Sequence, residues 1–257
     1  MTRRAFLLAL AVLAASPAAG APRSSIPATA FTDFAFMQHP GAALPLDVRL
    51  RGPDGSPLRL GDLFTGPPVL LDFEYARCTT LCGVMLDQVT AALAALPLEP
   101  EHDYRLVAID IDPATTPQQA IAFARAHGAD RPGMTVLTGD EAEIRRVADV
   151  AGFPFRHDPA TGQYAHPAGF VIATPNGTVS RYLLGLDWRP LDLRLALVEA
   201  AGRRVAVPSE QALLFCYRYD PKTGQYNLAI GRLLEIVGAT TVLALGGMIA
   251  LATRRAV

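Results

Sequence analysis

Two cysteines one helical turn apart, Cys78 and Cys82 in Cys78-Thr79-Thr80-Leu81-Cys82, and a distant histidine, His166, are the side chains here best suited to chemistry. Two thiols and one imidazole make a donor set for a soft metal ion. Residues four apart on a helix share a face, and the spacing also falls inside the ~4.4–6.8 Å Cα separation that a disulfide tolerates. Metal loading and disulfide formation would then exclude each other. The pair follows an apolar run, Val69-Leu70-Leu71-Asp72-Phe73-Glu74-Tyr75, bounded by Gly66-Pro67-Pro68 and Ala76-Arg77, which reads as a buried strand. Beyond it Leu81, Val84, Met85, Val89, Leu93 and Leu96 repeat at helical spacing. The cysteines therefore belong to the turn and first turn of a helix, where free backbone N–H groups favour a thiolate, and Arg77 adds a neighbouring cation.

The elements that must position this set alternate along the chain. Leu46 to Arg51 and Pro57 to Leu60 flank Gly52-Pro53-Asp54-Gly55 and read as a hairpin. After the cysteine helix, the pattern predicts a strand over 104–111, a helix over 117–127, a strand over 134–137 and a helix over 140–150 ended by Gly152. Strands over 168–174 and 178–184 enclose Pro175-Asn176-Gly177, and Pro190 opens a helix to Ala201. This is an α/β order with a mixed central sheet flanked by helices, the layout of a thioredoxin-like domain. His157-Asp158-Pro159-Ala160-Thr161-Gly162-Gln163-Tyr164 is echoed by Tyr219-Asp220-Pro221-Lys222-Thr223-Gly224-Gln225-Tyr226, which reads as one tight hairpin used twice. The first delivers His166 just past its end.

The chain ends bear on the compartment. Arg3-Arg4, an apolar stretch over 5–15 and Ala18-Ala19-Gly20 have the build of a secretory signal peptide over 1–20, and Thr2-Arg3-Arg4-Ala5-Phe6-Leu7 also looks like a twin-arginine signal. Residues 236–252 carry no charge and are followed by Arg254-Arg255, so a transmembrane helix over 230–253 is expected, with its basic end inside. Together these predict a domain on the periplasmic face of a bacterial inner membrane with a single C-terminal anchor. Between them lie a linker over 21–43, the α/β domain over 44–203 and a juxtamembrane hairpin segment over 204–229. A formal charge of −1 gives no electrostatic case for nucleic acid. Three cysteines are too few for a disulfide-stapled scaffold, and the odd count leaves at least one unpaired, metal-bound or intermolecular.

Cys78-x-x-x-Cys82 after a strand, Ile111-Asp112-Pro113 with Thr116-Pro117, Leu137-Thr138-Gly139, and Tyr164-Ala165-His166 before a strand together resemble the Sco/SenC family. The resemblance runs from about Leu44 to Arg203, and 213–221 is similar to a bacterial branch. It implies a membrane-anchored thioredoxin-like protein that binds copper and assists assembly of the copper centre of cytochrome c oxidase. By resemblance, Cys78, Cys82 and His166 are the copper ligands. Better-known members carry proline after the second cysteine, where this chain has Gly83, and are anchored at the N-terminus.

The expected function is a copper metallochaperone that holds one ion, Cu(I) or Cu(II), and delivers it to, or reduces the copper-site thiols of, a respiratory oxidase subunit. The alternative is a periplasmic thiol-disulfide oxidoreductase, with Cys78 and Cys82 as the redox-active pair. It needs the cysteines but not His166. Cys216, between Phe215 and Tyr217, reads as a buried inert thiol; close to the pair, it would make a Cys3His set that suits zinc. His39, His102 and His157 read as solvated, His127 lies at a helix C-terminus, and Asp112, which matches an acidic residue of the family motif but also suits an ordinary strand-end turn before Pro113, is left without a role.

Overall fold

The computed structural model describes residues 35–78, 81–202, 214, 217–228 and 230–255, with the backbone alone for 230–233 and 249–255. The expected signal peptide over 1–20, most of the expected linker and Cys216 lie outside the described residues.

Five strands form the central sheet in the order β5-β4-β3-β8-β9: β3 (Val69–Glu74), β4 (Arg105–Asp110), β5 (Met134–Leu137), β8 (Gly169–Ala173) and β9 (Val179–Leu184). β3 pairs parallel with β4 in the register Val69↔Arg105 to Glu74↔Asp110, and β4 pairs parallel with β5. β8 pairs antiparallel with β3, and β9 with β8. This is the mixed thioredoxin-like sheet that the alternation predicts. The parallel steps are crossed by α1 (Cys82–Ala95) and α2 (Pro117–Ala126); α3 (Glu141–Val150) and α4 (Pro190–Ala200) follow β5 and β9.

Each face of β3 has its own core. Val69, Leu71 and Phe73 pack with Ile144, Val147 and Ala148 of α3 and with Val48, Leu50 and Leu60 from the N-terminal hairpin, β1 (Arg49–Arg51) and β2 (Pro57–Arg59), and its surroundings. Leu70 packs with Met85, Leu86 and Val89 of α1, Ala120 and Ala124 of α2, and Leu193 and Leu197 of α4. Covered on both sides, β3 is buried at every position, as a central strand of a parallel unit must be. Burying each of its large apolar side chains contributes roughly 1.5–3 kcal/mol.

α2 matters for the site because its C-terminal end lies against α1. Thr116 starts it with a capping box: its hydroxyl accepts from Gln119 N–H and the Gln119 side chain accepts from Thr116 N–H, with Pro117 in the first turn. His127 closes it.

Both expected repeat hairpins form. β6 (Arg156–Asp158) pairs with β7 (Gln163–Ala165), and β10 (Tyr217–Asp220) with β11 (Gln225–Leu228). Tyr226 N–H donates to the buried carboxylate of Asp192, tying β11 to α4.

Residues 230–255 form a helix, α5 (Ile230–Arg255). The transmembrane helix expected over 230–253 is not supported, because among the described residues no helix is long and apolar enough to cross a membrane. Glycines and threonines interrupt the apolar run, with Thr240 and Thr241 bonding back to the carbonyls of Ile236 and Val237.

Candidate metal centre

β3 ends at Glu74, and the chain turns through Tyr75, Ala76 and Arg77 to Cys78. Cys78 N–H donates to Tyr75 O at 3.0 Å, closing the turn. Two carboxylates from the end of β4 brace it. Asp110 accepts from Ala76 N–H at 2.8 Å through one oxygen and from Asp112 N–H at 2.9 Å through the other. Asp112, only 3% exposed, ion-pairs with Arg77, whose Nε lies 2.9 Å from its Oδ2. One expectation changes, and one residue left open gains a role. The Arg77 charge is engaged by Asp112 rather than offered to the thiols, and Asp112 is a brace as well as a turn residue, its Oδ1 also accepting from Ala114 N–H.

Cys82 is the first residue of α1 and is buried; Cys78 is half-buried. No side chain caps the helix from Leu81, and the Cys78 sulfur instead accepts from Cys82 N–H at 3.4 Å. A sulfur at the positive end of a helix is stabilised as thiolate, as the spacing predicts. The two cysteines form a disulfide with a Cα separation of 6.1 Å.

His166 completes the set. Its Nε2 lies 3.7 Å from Cys82 Sγ, across a sequence separation of 84. Nδ1 is 2.8 Å from the carbonyl of Pro167. A carbonyl only accepts, so Nδ1 carries the hydrogen and Nε2 presents its lone pair toward the sulfur. Burial disfavours the imidazolium and lowers the His166 pKa, so the ring is in the neutral form that ligates metals. Phe153 and Tyr75 hold the ring, with centroids at 5.4 and 5.8 Å. Phe153 in turn stacks on Phe73 at 4.6 Å, and Tyr75 donates its hydroxyl hydrogen to Gln163 of the β6–β7 hairpin.

This arrangement can do two things. Oxidised, it is a disulfide with a histidine beside the inner sulfur. Reduced, it offers two thiolates and a pre-oriented imidazole, a soft donor set that suits Cu(I). In the disulfide form, no group of three or more His, Cys, Asp or Glu side chains among the described residues is set to hold a metal ion.

A carboxylate group also lies in the sheet behind the cysteine turn. Asp72 and Glu74 share a face of β3, and Asp110 pairs with Glu74 on β4. All three are buried, and Asp72 Oδ2 and Glu74 Oε2 have no hydrogen-bond partner. Desolvation pushes Asp72 up to about 7 and Asp110 up to about 6. Glu74 is raised by desolvation and by both neighbouring carboxylates. Strand period two already put the side chains of Asp72 and Glu74 on one face of an apolar run, a signal the sequence reading did not use.

The SCO1/SenC family model matches residues 53–190, from the N-terminal hairpin to the start of α4. The chain belongs to the SCO1/SenC family. A protein of Stutzerimonas stutzeri whose name ascribes copper binding to it is 29% identical over 120 residues, which are 44% of this chain and 56% of that relative. ScoI of Arabidopsis thaliana, solved with copper bound, superposes with a TM-score of 0.52 at 20% identity, covering 61% of this chain and 96% of that one. BsSco, described as having a disulfide switch and as a member of the Sco family of cytochrome c oxidase assembly proteins, superposes at 0.54 with 24% identity, over 65% and 98% of the two chains. At these identities the structural likeness is one of fold.

Within this SCO1/SenC chain, the structure places Cys78, Cys82 and His166 side by side. His39, His102 and His157 are exposed. His127 does end α2, as read, and it also packs against Gly83, the residue after Cys82. No local pattern announces that contact.

Proposed function

We propose that this protein is a copper metallochaperone in which reduced Cys78 and Cys82, with His166, hold one copper ion as cargo. The observation that carries the reading is His166 Nε2 facing Cys82 Sγ at 3.7 Å while Nδ1 is occupied by Pro167. Family membership, the copper-bound relative and the oxidase-assembly role given for BsSco support it. The disulfide must open before loading. A partner dithiol supplies the two electrons and two protons, becoming a disulfide while Cys78 and Cys82 become thiols. Copper then displaces the thiol protons to solvent, and ligand exchange passes the ion to a copper-containing subunit of a respiratory oxidase.

Anaerobic Cu(I) titration of the reduced full chain tests this. Wild type should take one ion, Cys82→Ala should lose tight binding, and His166→Ala should weaken it by roughly tenfold or more. Equal uptake by all three would sink the ligand assignment.

A thiol-disulfide oxidoreductase is the second reading, favoured by the unequal exposure of the cysteines. Half-buried Cys78 would attack a client disulfide and buried Cys82 would resolve it, leaving a Cys78–Cys82 disulfide and a client dithiol. Loss of function in cells for His166→Ala with thiol exchange intact would count against it.

The cellular placement proposed on sequence grounds is the periplasmic face of the inner membrane. The described side chains of α5 over 234–248 are all exposed, among them Leu234, Ile236, Val242, Leu243 and Met248, and so are available for membrane contact. Fractionation of the full chain beside a chain ending at 229 checks it: soluble recovery of both would reject membrane attachment through α5.

A further inference from the structure

We infer that His127 is a positioning residue for Cys82, its imidazole taking the space beside the first turn of α1 that any side chain at position 83 would need. A Cβ built on Gly83 would lie 2.4 Å from His127 Cε1, 2.7 Å from Nε2 and 3.2 Å from Nδ1. Three ring atoms within that range mean the imidazole occupies the space that a side chain on the residue directly after the inner cysteine would fill. Two side-chain contacts hold the ring there. Its Nδ1 is 3.0 Å from Asp87 Oδ1, and since a carboxylate only accepts, Nδ1–H is the donor. Its other side packs on Phe123, with centroids at 4.6 Å.

His127 thereby touches successive turns of α1. Gly83 meets the ring, Asp87 accepts from it, and Thr90 Oγ1 lies 3.2 Å from the His127 carbonyl. Positions 83, 87 and 90 follow the i, i+4, i+7 stripe of one helix face. The far end of the lever is also fixed, since His127 N–H donates to the carbonyls of Phe123 and Ala124 and α2 starts at the Thr116 capping box. Glycine in a helix leaves the backbone freer than any other residue, so a bare Gly83 would hold Cys82 less firmly in the one position where it bonds Cys78 and faces His166. The ring supplies from outside the constraint that a side chain at 83 cannot supply from within.

The test uses the full chain with Gly83→Ala, His127→Ala and the double variant, and reads two quantities. The first is the equilibrium of the Cys78–Cys82 disulfide with glutathione, which needs no copper. The second is Cu(I) affinity, which rests on the metallochaperone reading. His127→Ala should shift the glutathione equilibrium by roughly fivefold or more, and the double variant should return toward wild type because the alanine methyl enters the vacated space. A glutathione equilibrium within about twofold of wild type in His127→Ala, even with a lowered melting temperature, would reduce His127 to a packing residue and overturn the inference. So would simple additivity of the two single changes. If Gly83→Ala fails to fold, His127→Ala and the double variant still decide. Absence of copper binding throughout, with the glutathione shift present, would reject the copper reading and leave the positioning role standing.

Discussion

Arg77 is clamped to Asp112: the guanidinium immediately before the exposed-side cysteine ends on a carboxylate that is only 3% exposed. The cation next to Cys78 is thus held by the end of β4 rather than by the thiol. Asp112→Asn should release it, while the amide oxygen at 112 still accepts, more weakly, from Ala114 N–H. Alkylation of reduced Cys78 by iodoacetamide at neutral pH should then accelerate, because a freed guanidinium lowers the thiol pKa. Unchanged kinetics would mean the clamp is mechanical only.

Stability should fall as pH rises from about 4 through about 7. Asp72 and Asp110 are held well above the ordinary carboxylate range, at about 7 and about 6, by burial. A carboxyl with a raised folded-state pKa binds its proton more tightly in the folded chain. Its contribution is therefore complete below the unfolded-state pKa and is lost as pH climbs through the folded value. Asp72→Asn keeps the shape and removes the charge, so the variant should be more stable than wild type at pH 8 by on the order of 1–3 kcal/mol, because the buried charge that forms in wild type does not form in the variant. Urea titrations at pH 5 and pH 8 check this; a wild type equally stable at both would contradict it.

Phe153→Ala should cost about 3–5 kcal/mol in stability, the usual range for a buried phenylalanine. The ring stacks on Phe73 and holds one side of His166, so Cu(I) affinity should fall as well. Phe153→Leu fills most of the volume, and it should recover stability more fully than affinity if the flat ring is what orients the imidazole. Paired melting curves and copper competition separate the two effects.

Reducing the Cys78–Cys82 disulfide should lower stability by about 2 kcal/mol, the chain-entropy value for so short a closed loop. A thermal scan with and without dithiothreitol reads it, and Cys82→Ala should show no difference between the two conditions.

Gly152→Ala should be among the more damaging single-methyl changes. Gly152 has φ +68 and a Cβ there would lie 1.7 Å from the carbonyl oxygen of Met37, whose N–H donates to Gly152 O. A loss of roughly 2 kcal/mol or more is expected from strain plus displacement of that strand-like contact, measured by urea unfolding.

Much of this was legible in the chain itself. The apolar run over 69–75, the helical repeat from Leu81, the Pro-Asn-Gly turn and the doubled Asp-Pro…Thr-Gly hairpin each fix an element through contacts between near neighbours. So does the placement of Cys78 and Cys82 at a helix start. Period, cap and turn are local properties, and a local sequence suffices to set them.

What the sequence left open is which distant residues meet. The lone pair of His166 faces Cys82 because β8 lies against β3 and the β6–β7 hairpin ends beside it. Asp112 reaches Arg77 because β3 and β4 pair in the register that sets Glu74 against Asp110. His127 seats on Gly83 because α1 and α2 cover the same face of the sheet. Strand order, register and helix packing are decided by the summed burial of two cores, so no stretch of neighbouring residues encodes them. The sequence alone determined the donor types and their spacing; only the tertiary structure decided their orientation, their braces and the ring that stands in for a side chain at 83.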